Sequence, residues 1–239
     1  MPAYNEEERL PRTLARLAEY YDEQPYDYDV AVVSDGSKDR TAEIVNDFAR
    51  EHPKFKLIEY HPNRGKGFAV RTGMLTAPGD LILFCDADLA TPQEETEKLL
   101  ASMKETGAAV AIGSRPMADS KLEVRQPRLR EMLGRMFNFA VQQLAVSGID
   151  DTQCGFKLFT RAACQDVFTR CKLDGFSFDF EALMVARDLG YKIDEVPIRW
   201  SHVEGSKVVL MRDGPRMLRD LIKLRMKGKR ARLAVKASV

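Results

Sequence analysis

The sequence predicts an α/β protein: a mostly parallel, doubly wound sheet with helices on both faces and no transmembrane helix. Short apolar runs alternate with stretches whose apolar residues recur at helical spacing, the pattern of successive βαβ units with right-handed crossovers. The run Leu81–Cys85 (LILFC) is apolar without alternation, as a strand buried on both faces of a parallel sheet must be, and it ends abruptly in Asp86 and Asp88. The 239 residues, 44% hydrophobic and 31% charged, suit one large soluble domain. No apolar run reaches the roughly 18 residues of a membrane span, and no secretory signal precedes the first motif.

Taken in order, MPAYNEEERL holds turn chemistry followed by a helix: Asn5 is a cap candidate, Glu6–Glu8 suit a helix N-terminus, and Leu10, Leu14, Leu17 and Tyr21 recur at helical spacing. Asp29–Asp35 reads as a buried strand, followed by a turn and the amphipathic helix of GSKDRTAEIVNDFARE. Lys56–Tyr60 is a short strand, Asn63–Gly67 a polar glycine loop, and Phe68–Thr76 a helix. After LILFCDAD, a helix over Thr91–Thr106 would start well at Pro92, and Ala108–Ser114 is another strand.

The second half differs. Pro116–Pro127 lacks periodicity and reads as a mobile loop; Leu129–Val146 reads as a long apolar helix. Asp151–Phe159 (DTQCGFKLF) is a loop entering a short strand, Phe178–Leu189 a helix, Lys192–Trp200 a strand, and Asp213–Met226 an amphipathic helix. No linker separates the halves. The expected division is a domain over 1–210, with a first half 1–115 and a second 116–210, then a helix and basic tail over 211–239.

Charge is uneven. From Arg216 onward there are nine Lys/Arg and one acid, Asp220, against 28 basic and 35 acidic residues before it. That contrast suits an anionic surface partner or a merely solvated tail. The four cysteines (Cys85, Cys154, Cys164, Cys171) form no C-x-x-C pair and are expected as buried thiols in a cytosolic protein. His52, His61 and His202 are scattered, which argues against zinc chemistry. No strand is followed by G-x-G-x-x-G, and no Walker A pattern occurs.

Polar residues gather at strand ends: Pro2–Glu6 (PAYNE), Ser34–Ser37 (SDGS), Asp86–Asp88 (DAD) and Gly113–Arg115 (GSR). In a doubly wound sheet such ends face one crevice. Paired acids there suit a hard divalent cation holding a diphosphate, or a simple acidic turn in which Asp88 or Thr91 caps the next helix. Together with NRGKGFAVRTG (Asn63–Gly73), DADLATP (Asp86–Pro92), DTQCGFKLF (Asp151–Phe159), FDFE (Phe178–Glu181) and EVPIRW…EGSKV (Glu195–Val208), these blocks resemble glycosyltransferase family 2. Those are inverting nucleotide-sugar enzymes of GT-A fold. Within the family the resemblance is to the dolichyl-phosphate β-glucosyltransferases and their prokaryotic polyprenyl-phosphate relatives. The mannosyl branch usually has glutamine two positions after the second Asp of D-x-D, where this chain has Ala90.

The resemblance implies transfer of a hexose, glucose from UDP-glucose above all, to a polyprenyl or dolichyl phosphate, with Mg²⁺ or Mn²⁺ as cofactor. By position, Pro2, Tyr4 and Glu6 correspond to the loop around base and ribose, and Asp35 to the acceptor of the uracil ring N–H. Lys66 corresponds to a phosphate contact; its flanking Gly65 and Gly67 leave room for one. Asp86 and Asp88 are the implied metal ligands, Asp88 the more direct one, Asp86 also near ribose. Asp151 is implied as base or positioning group, Asp179 and Glu181 as sugar contacts, and Lys207 as part of a loop closing over the diphosphate. Arg115 and Arg130 are implied as grips on the acceptor phosphate, with Arg125 and Arg128 as rivals for the second. For several of these a plainer structural role is also open: a turn Asp at 35, a turn cap at 151, exposed helix arginines at 115, 125, 128 and 130, and loop lysines at 66 and 207.

An acceptor of this kind lies at a bilayer, so the basic C-terminal segment is expected to rest on anionic lipid at the cytoplasmic face of a membrane. No nucleic-acid partner is expected. The family also places an apolar strand directly ahead of PAYNE, and a chain extended upstream of Met1 is expected to be more stable. Ser34 stands where many relatives have a second aspartate. The alternatives are GDP-mannose as donor, a soluble glycan as acceptor, a nucleotidyltransferase, and a non-catalytic binding module.

Overall fold

The computed structural model describes residues 1–115, 121–124, 141, 146, 148–203 and 210–236. Most of the loop read at 116–127 and of the helix read at 129–146 lies outside these residues, as do Arg125, Arg128, Arg130 and Lys207. Elements in chain order are β1 (Pro2–Ala3), α1 (Leu10–Asp22), β2 (Val30–Asp35), α2 (Thr41–Glu51), β3 (Phe55–Tyr60), α3 (Lys66–Thr76), β4 (Leu81–Cys85) and α4 (Thr96–Thr106). They continue with β5 (Val110–Ser114), β6 (Lys121–Val124), β7 (Phe156–Thr160), α5 (Arg161–Phe168), α6 (Phe178–Asp188), β8 (Ile193–Pro197), β9 (Arg199–Ser201) and α7 (Leu210–Lys236).

Strands β1, β2 and β3 pair in parallel in that order. A second sheet runs β4-β7-β5-β8, with β7 antiparallel to both neighbours and β5 parallel to β8. Strand β6 pairs in parallel with β9. The fold is therefore α/β and mostly parallel, with one reversed strand inserted between β4 and β5. That reversal matters for the site. Cys85 opposes Phe156, and Ile112 opposes Lys157, so the segment leading into β7 arrives at the same sheet edge where β4 and β5 end. Asp86, Arg115 and residues 151–155 meet there for this reason.

Both faces of the second sheet are covered, and its strands alternate between two cores. Ile82, Phe84, Val110, Ile112 and Phe159 pack with α5 and α6, while Cys85, Ala111, Phe156, Leu158 and Val196 pack with Leu99 and Met103 of α4. Over the first sheet, Leu10, Leu14, Leu17 and Tyr21 of α1 pack with Val32 and Phe55 of the sheet and Val45 of α2, as the helical spacing predicts. Each such side chain contributes about 1.5–3 kcal/mol through burial.

Several boundaries differ from the sequence reading. Helix α1 begins at Leu10, and Asn5 does not cap it. Asn5 has φ 52° and ties the β1 end to the β2–α2 loop, donating from its N–H to Ser37 Oγ and accepting from Lys38 N. Helix α4 starts at Thr96, because Pro92 is extended and a single 3₁₀ turn, Gln93–Glu95, intervenes. The strand read over Lys192–Trp200 is two strands, β8 and β9, in different sheets. Helix α5 has no counterpart in the sequence reading; Thr160 caps it by accepting from Ala163 N.

Candidate active site

The loop Asp86–Ala90 is pinned on three sides. Asp86 N donates to Gly155 O at 3.1 Å, Thr13 Oγ1 of α1 donates to Ala87 O at 2.7 Å, and Ser201 N of β9 donates to Ala90 O at 2.8 Å. Asp88 Oδ1 accepts from Ala90 N at 3.1 Å, closing a local turn, and Leu89 takes φ 52°. Gly155 lies flat against Asp86: a Cβ there would fall 2.0 Å from Asp86 Oδ2. The resulting cleft is lined by Cys85, Asp86, Asp88, Ala90, Thr91, Gly155, Phe156 and Trp200.

Lys66, in the first turn of α3, reaches Asp86 Oδ1 at 2.7 Å. Gly65 and Gly67 also make room for backbone, beside the approach to a phosphate expected from sequence. A Cβ on Gly65 would sit 2.4 Å from Asp174 O, and one on Gly67 2.4 Å from Leu173 O. The glycines let the start of α3 dock on the 173–175 loop, and that docking aims Lys66 at the cleft.

Asp35, buried at the end of β2, accepts from Asn63 Nδ2 (2.9 Å), Arg64 N (2.7 Å) and Gly65 N (2.8 Å). These donors take most of its acceptor capacity, so Asp35 organises the loop that leads to Lys66. Glu6 is buried and receives both Arg9 Nε (2.8 Å) and a terminal guanidinium nitrogen (2.9 Å). Pro2 pairs with Val33 in the sheet, and Tyr4 follows β1 half-buried. Glu181 is also committed: both its oxygens accept from Lys172 N and Oε2 accepts from Leu173 N at 2.8 Å. It builds the loop under α3, so its sequence-based role as a sugar contact has no support in these bonds.

Asp179 lies at the start of α6, almost fully buried, in an ion pair with Lys157. Lys157 is the functional candidate the sequence reading passed over. It is 1% exposed on β7, on the strand face that packs toward α6, and donates also to Cys154 O at 2.5 Å. A lysine inside the apolar run FKLF was the available signal, since a buried ammonium requires a counter-ion. Lys66 and Lys157 both approach the Phe84 ring, at 5.5 and 5.7 Å from its centroid.

These charges act on one another. Burial, and then the neighbouring Asp86 carboxylate, push Asp88 above the usual carboxylate range. Burial also pushes Asp179 up, against the pull of Lys157 and Lys66. For Lys66, burial works to lower the pKa, but Asp86, Asp179 and Asp88 together overcome it and hold the amine protonated. A cation against Asp86 and Asp88 would relieve their mutual repulsion. Among the described residues no group of three or more His, Cys, Asp or Glu is placed to hold a metal. Two carboxylates fit a Mg²⁺- or Mn²⁺-type ion whose other ligands are phosphate oxygens and water.

Arg115 and Asp151 form a second unit beside the cleft. Asp151 is fully buried and receives Arg115 Nε at 2.6 Å, a terminal guanidinium nitrogen at 2.8 Å and Arg115 N at 3.1 Å. Its own N–H and that of Asp150 donate to Glu195, at 2.7 and 2.8 Å. Burial opposes its ionisation, but Arg115 holds Asp151 below the normal carboxylate pKa. So held, Asp151 is a weak base and a firm anchor for Arg115, whose guanidinium lies 5.4 Å from the Trp200 ring centroid. Thr152 Oγ1 and Gln153 Nε2 are buried without a partner among the described residues. All four cysteines are free and buried, and burial pushes the Cys154 thiol up to about 12.

A sheet edge that gathers paired carboxylates, a lysine and an arginine is the arrangement of a GT-A-type glycosyltransferase. A glucosyl-3-phosphoglycerate synthase of Mycobacterium tuberculosis, solved with Mn²⁺, UDP and glucosyl-3-phosphoglycerate, matches the fold with TM-score 0.64 at 19% identity, covering 92% of this chain and 75% of that one. The family model for glycosyl transferase family 2 matches residues 1–168, and the chain belongs to this family. A dolichyl-phosphate beta-glucosyltransferase of Trichomonas vaginalis is 39% identical over 220 residues, 87% of this chain and 66% of that protein. The human dolichyl-phosphate beta-glucosyltransferase is 35% identical over 239 residues, 95% of this chain and 74% of its own length.

Proposed function

We propose that this glycosyltransferase moves glucose from UDP-glucose to a dolichyl or other polyprenyl phosphate at the cytoplasmic face of a membrane. The observation that carries the reading is the convergence of Asp86, Asp88, Lys66 and Arg115 on one sheet edge. The names of the curated relatives at 35–39% identity support the donor sugar and the acceptor.

Asp86 and Asp88 would hold Mg²⁺ or Mn²⁺, which supplies neutralisation of the charge that grows on the departing diphosphate. Lys66 binds the same diphosphate from the α3 side. Arg115, braced by Asp151, offers its guanidinium to the acceptor phosphate. That nucleophile is ionised at neutral pH, so the reaction needs positioning and charge neutralisation more than a strong base. Asp151 therefore serves by orienting Arg115. Asp179, held by Lys157, tunes the charge around Lys66. Residues 1–115 form the donor half and 116–210 the acceptor half, in which Arg130 joins Arg115 on the acceptor phosphate, while Lys207 closes over the donor diphosphate.

Helix α7 is the proposed membrane contact. Met217 and Leu221 are buried in the core and Ser177 Oγ donates to Asp220 at 2.9 Å, so the helix is docked beside the start of α6. Leu218, Ile222 and Met226 are exposed one helical stripe away, among Arg219, Lys223 and Arg225. No helix among the described residues is long and apolar enough to cross a membrane; the exposed apolar stripe with its basic neighbours is the surface we assign to contact with lipid.

The test is a radiolabel transfer assay with UDP-glucose, UDP-galactose or GDP-mannose and a membrane lipid extract, with and without EDTA. A lipid-extractable, chelator-sensitive product from UDP-glucose alone, abolished by Asp88→Ala, is expected. Transfer from GDP-mannose alone would overturn the donor assignment, and undiminished turnover of Asp88→Ala would overturn the role of the paired acids.

A further inference from the structure

We propose that Lys66 is a latch on the cation site: it competes with a divalent cation for Asp86, and the nucleotide diphosphate releases it. The inference rests on the metal-and-diphosphate reading above and adds a coupling to it. The geometry is unequal between the two partners. Asp86 is fixed, its N–H bonded to Gly155 O and its Oδ2 so close to Gly155 that no Cβ fits between them. Lys66 is movable at its tip. Its backbone is locked by the glycine docking on either side, but its side chain is 27% exposed and spans to Asp86 Oδ1 as a single 2.7 Å contact.

An ammonium and a doubly charged ion sharing one carboxylate repel each other strongly in a partly buried cleft. The negative charges on hand, Asp86, Asp88 and Asp179, are already shared with Lys66 and Lys157. A diphosphate brings new negative charge and gives Lys66 another place to bind. Cation affinity is thus held low until nucleotide arrives. By linkage, the cation strengthens nucleotide binding by the same factor.

Mn²⁺ is titrated into the full chain and the unbound ion counted by electron paramagnetic resonance, with and without UDP, for wild type, Lys66→Met and Lys66→Arg. Without UDP, Lys66→Met is expected to bind Mn²⁺ about tenfold more tightly than wild type, and Lys66→Arg to stay near wild type. With UDP, the wild type is expected to gain affinity and Lys66→Met to gain little. Equal Mn²⁺ affinity of wild type and Lys66→Met without UDP, while UDP still strengthens wild-type binding, overturns the latch and leaves the metal-and-diphosphate reading standing. Absence of Mn²⁺ binding to wild type even with UDP overturns both. Far-UV circular dichroism checks folding, and Lys66→Gln is a second charge-removing variant with the same two outcomes.

Discussion

At the scale of single residues, the site is a set of buried charges that hold one another. The Lys157–Asp179 pair is the deepest. Removing one member strands the other, so Lys157→Met is expected to cost about 3–5 kcal/mol in urea unfolding. Lys157→Met with Asp179→Leu, two apolar groups in place of two charges, is expected to recover most of that without restoring transfer. Asp151 gives a pH prediction with a definite sign. Its folded pKa lies below the unfolded value of about 3.9, so between the two the unfolded chain binds more protons and stability rises with pH. The advantage of wild type over Asp151→Asn should be complete above about pH 4 and shrink as pH falls further, read from urea midpoints at pH 7, 4 and 2.5. The placement of Asp86 and Asp88 together was legible because DAD ends a buried strand, and Lys66 stood out through its glycine loop, NRGKG. Lys157 was not: an FKLF run reads as a strand, and only the reversed direction of β7 reveals which face the lysine takes and that Asp179 waits there.

At the scale of elements, close backbone approach decides more than propensity does. Helix α3 was legible from its composition. Its docking was not, since nothing in NRGKG says that residues 173–175 lie against Gly65 and Gly67. Gly67→Ala would force a Cβ to within 2.8 Å of both Gly175 O and Phe178 Cβ, as well as against Leu173 O. It is expected to destabilise by about 1–3 kcal/mol and to raise the donor KM by displacing Lys66. Gly175→Ala meets nothing within 4 Å and should lie within about 0.5 kcal/mol of wild type in the same thermal and urea measurements. Helix α5 escaped notice because it is short, though the Thr160 cap and the spacing of Ala163, Cys164, Val167 and Phe168 did mark it.

At the scale of the whole molecule, the α/β class and the meeting of strand ends at one crevice follow from periodicity. The insertion of β7 against its neighbours does not, because direction depends on where distant strands leave room. The apolar residues of α7 show the same limit: the sequence presents Met217, Leu218, Leu221 and Leu224 as one face, whereas packing divides them. Met217 and Leu221 are core; Leu218 is 42% exposed, with Ile222 at 47% and Met226 at 53%. Replacing Leu218, Ile222 and Met226 by Ser is expected to abolish flotation with anionic vesicles and leave the melting temperature unchanged. Leu221→Ser should instead destabilise by about 2–5 kcal/mol. Truncating after Gly214 would confuse the two effects, because it removes core residues along with the stripe. Vesicle binding of the wild type should weaken as salt rises.

Trp200 is the only tryptophan in the chain, and it stands in the wall of the cleft with the Arg115 guanidinium beside its ring. All indole emission from this protein therefore originates at the place where donor and acceptor should meet. Paramagnetic Mn²⁺ should dim that light while Mg²⁺ leaves it bright, so an unlabelled sample in an ordinary fluorimeter carries its own indicator of what occupies the catalytic edge.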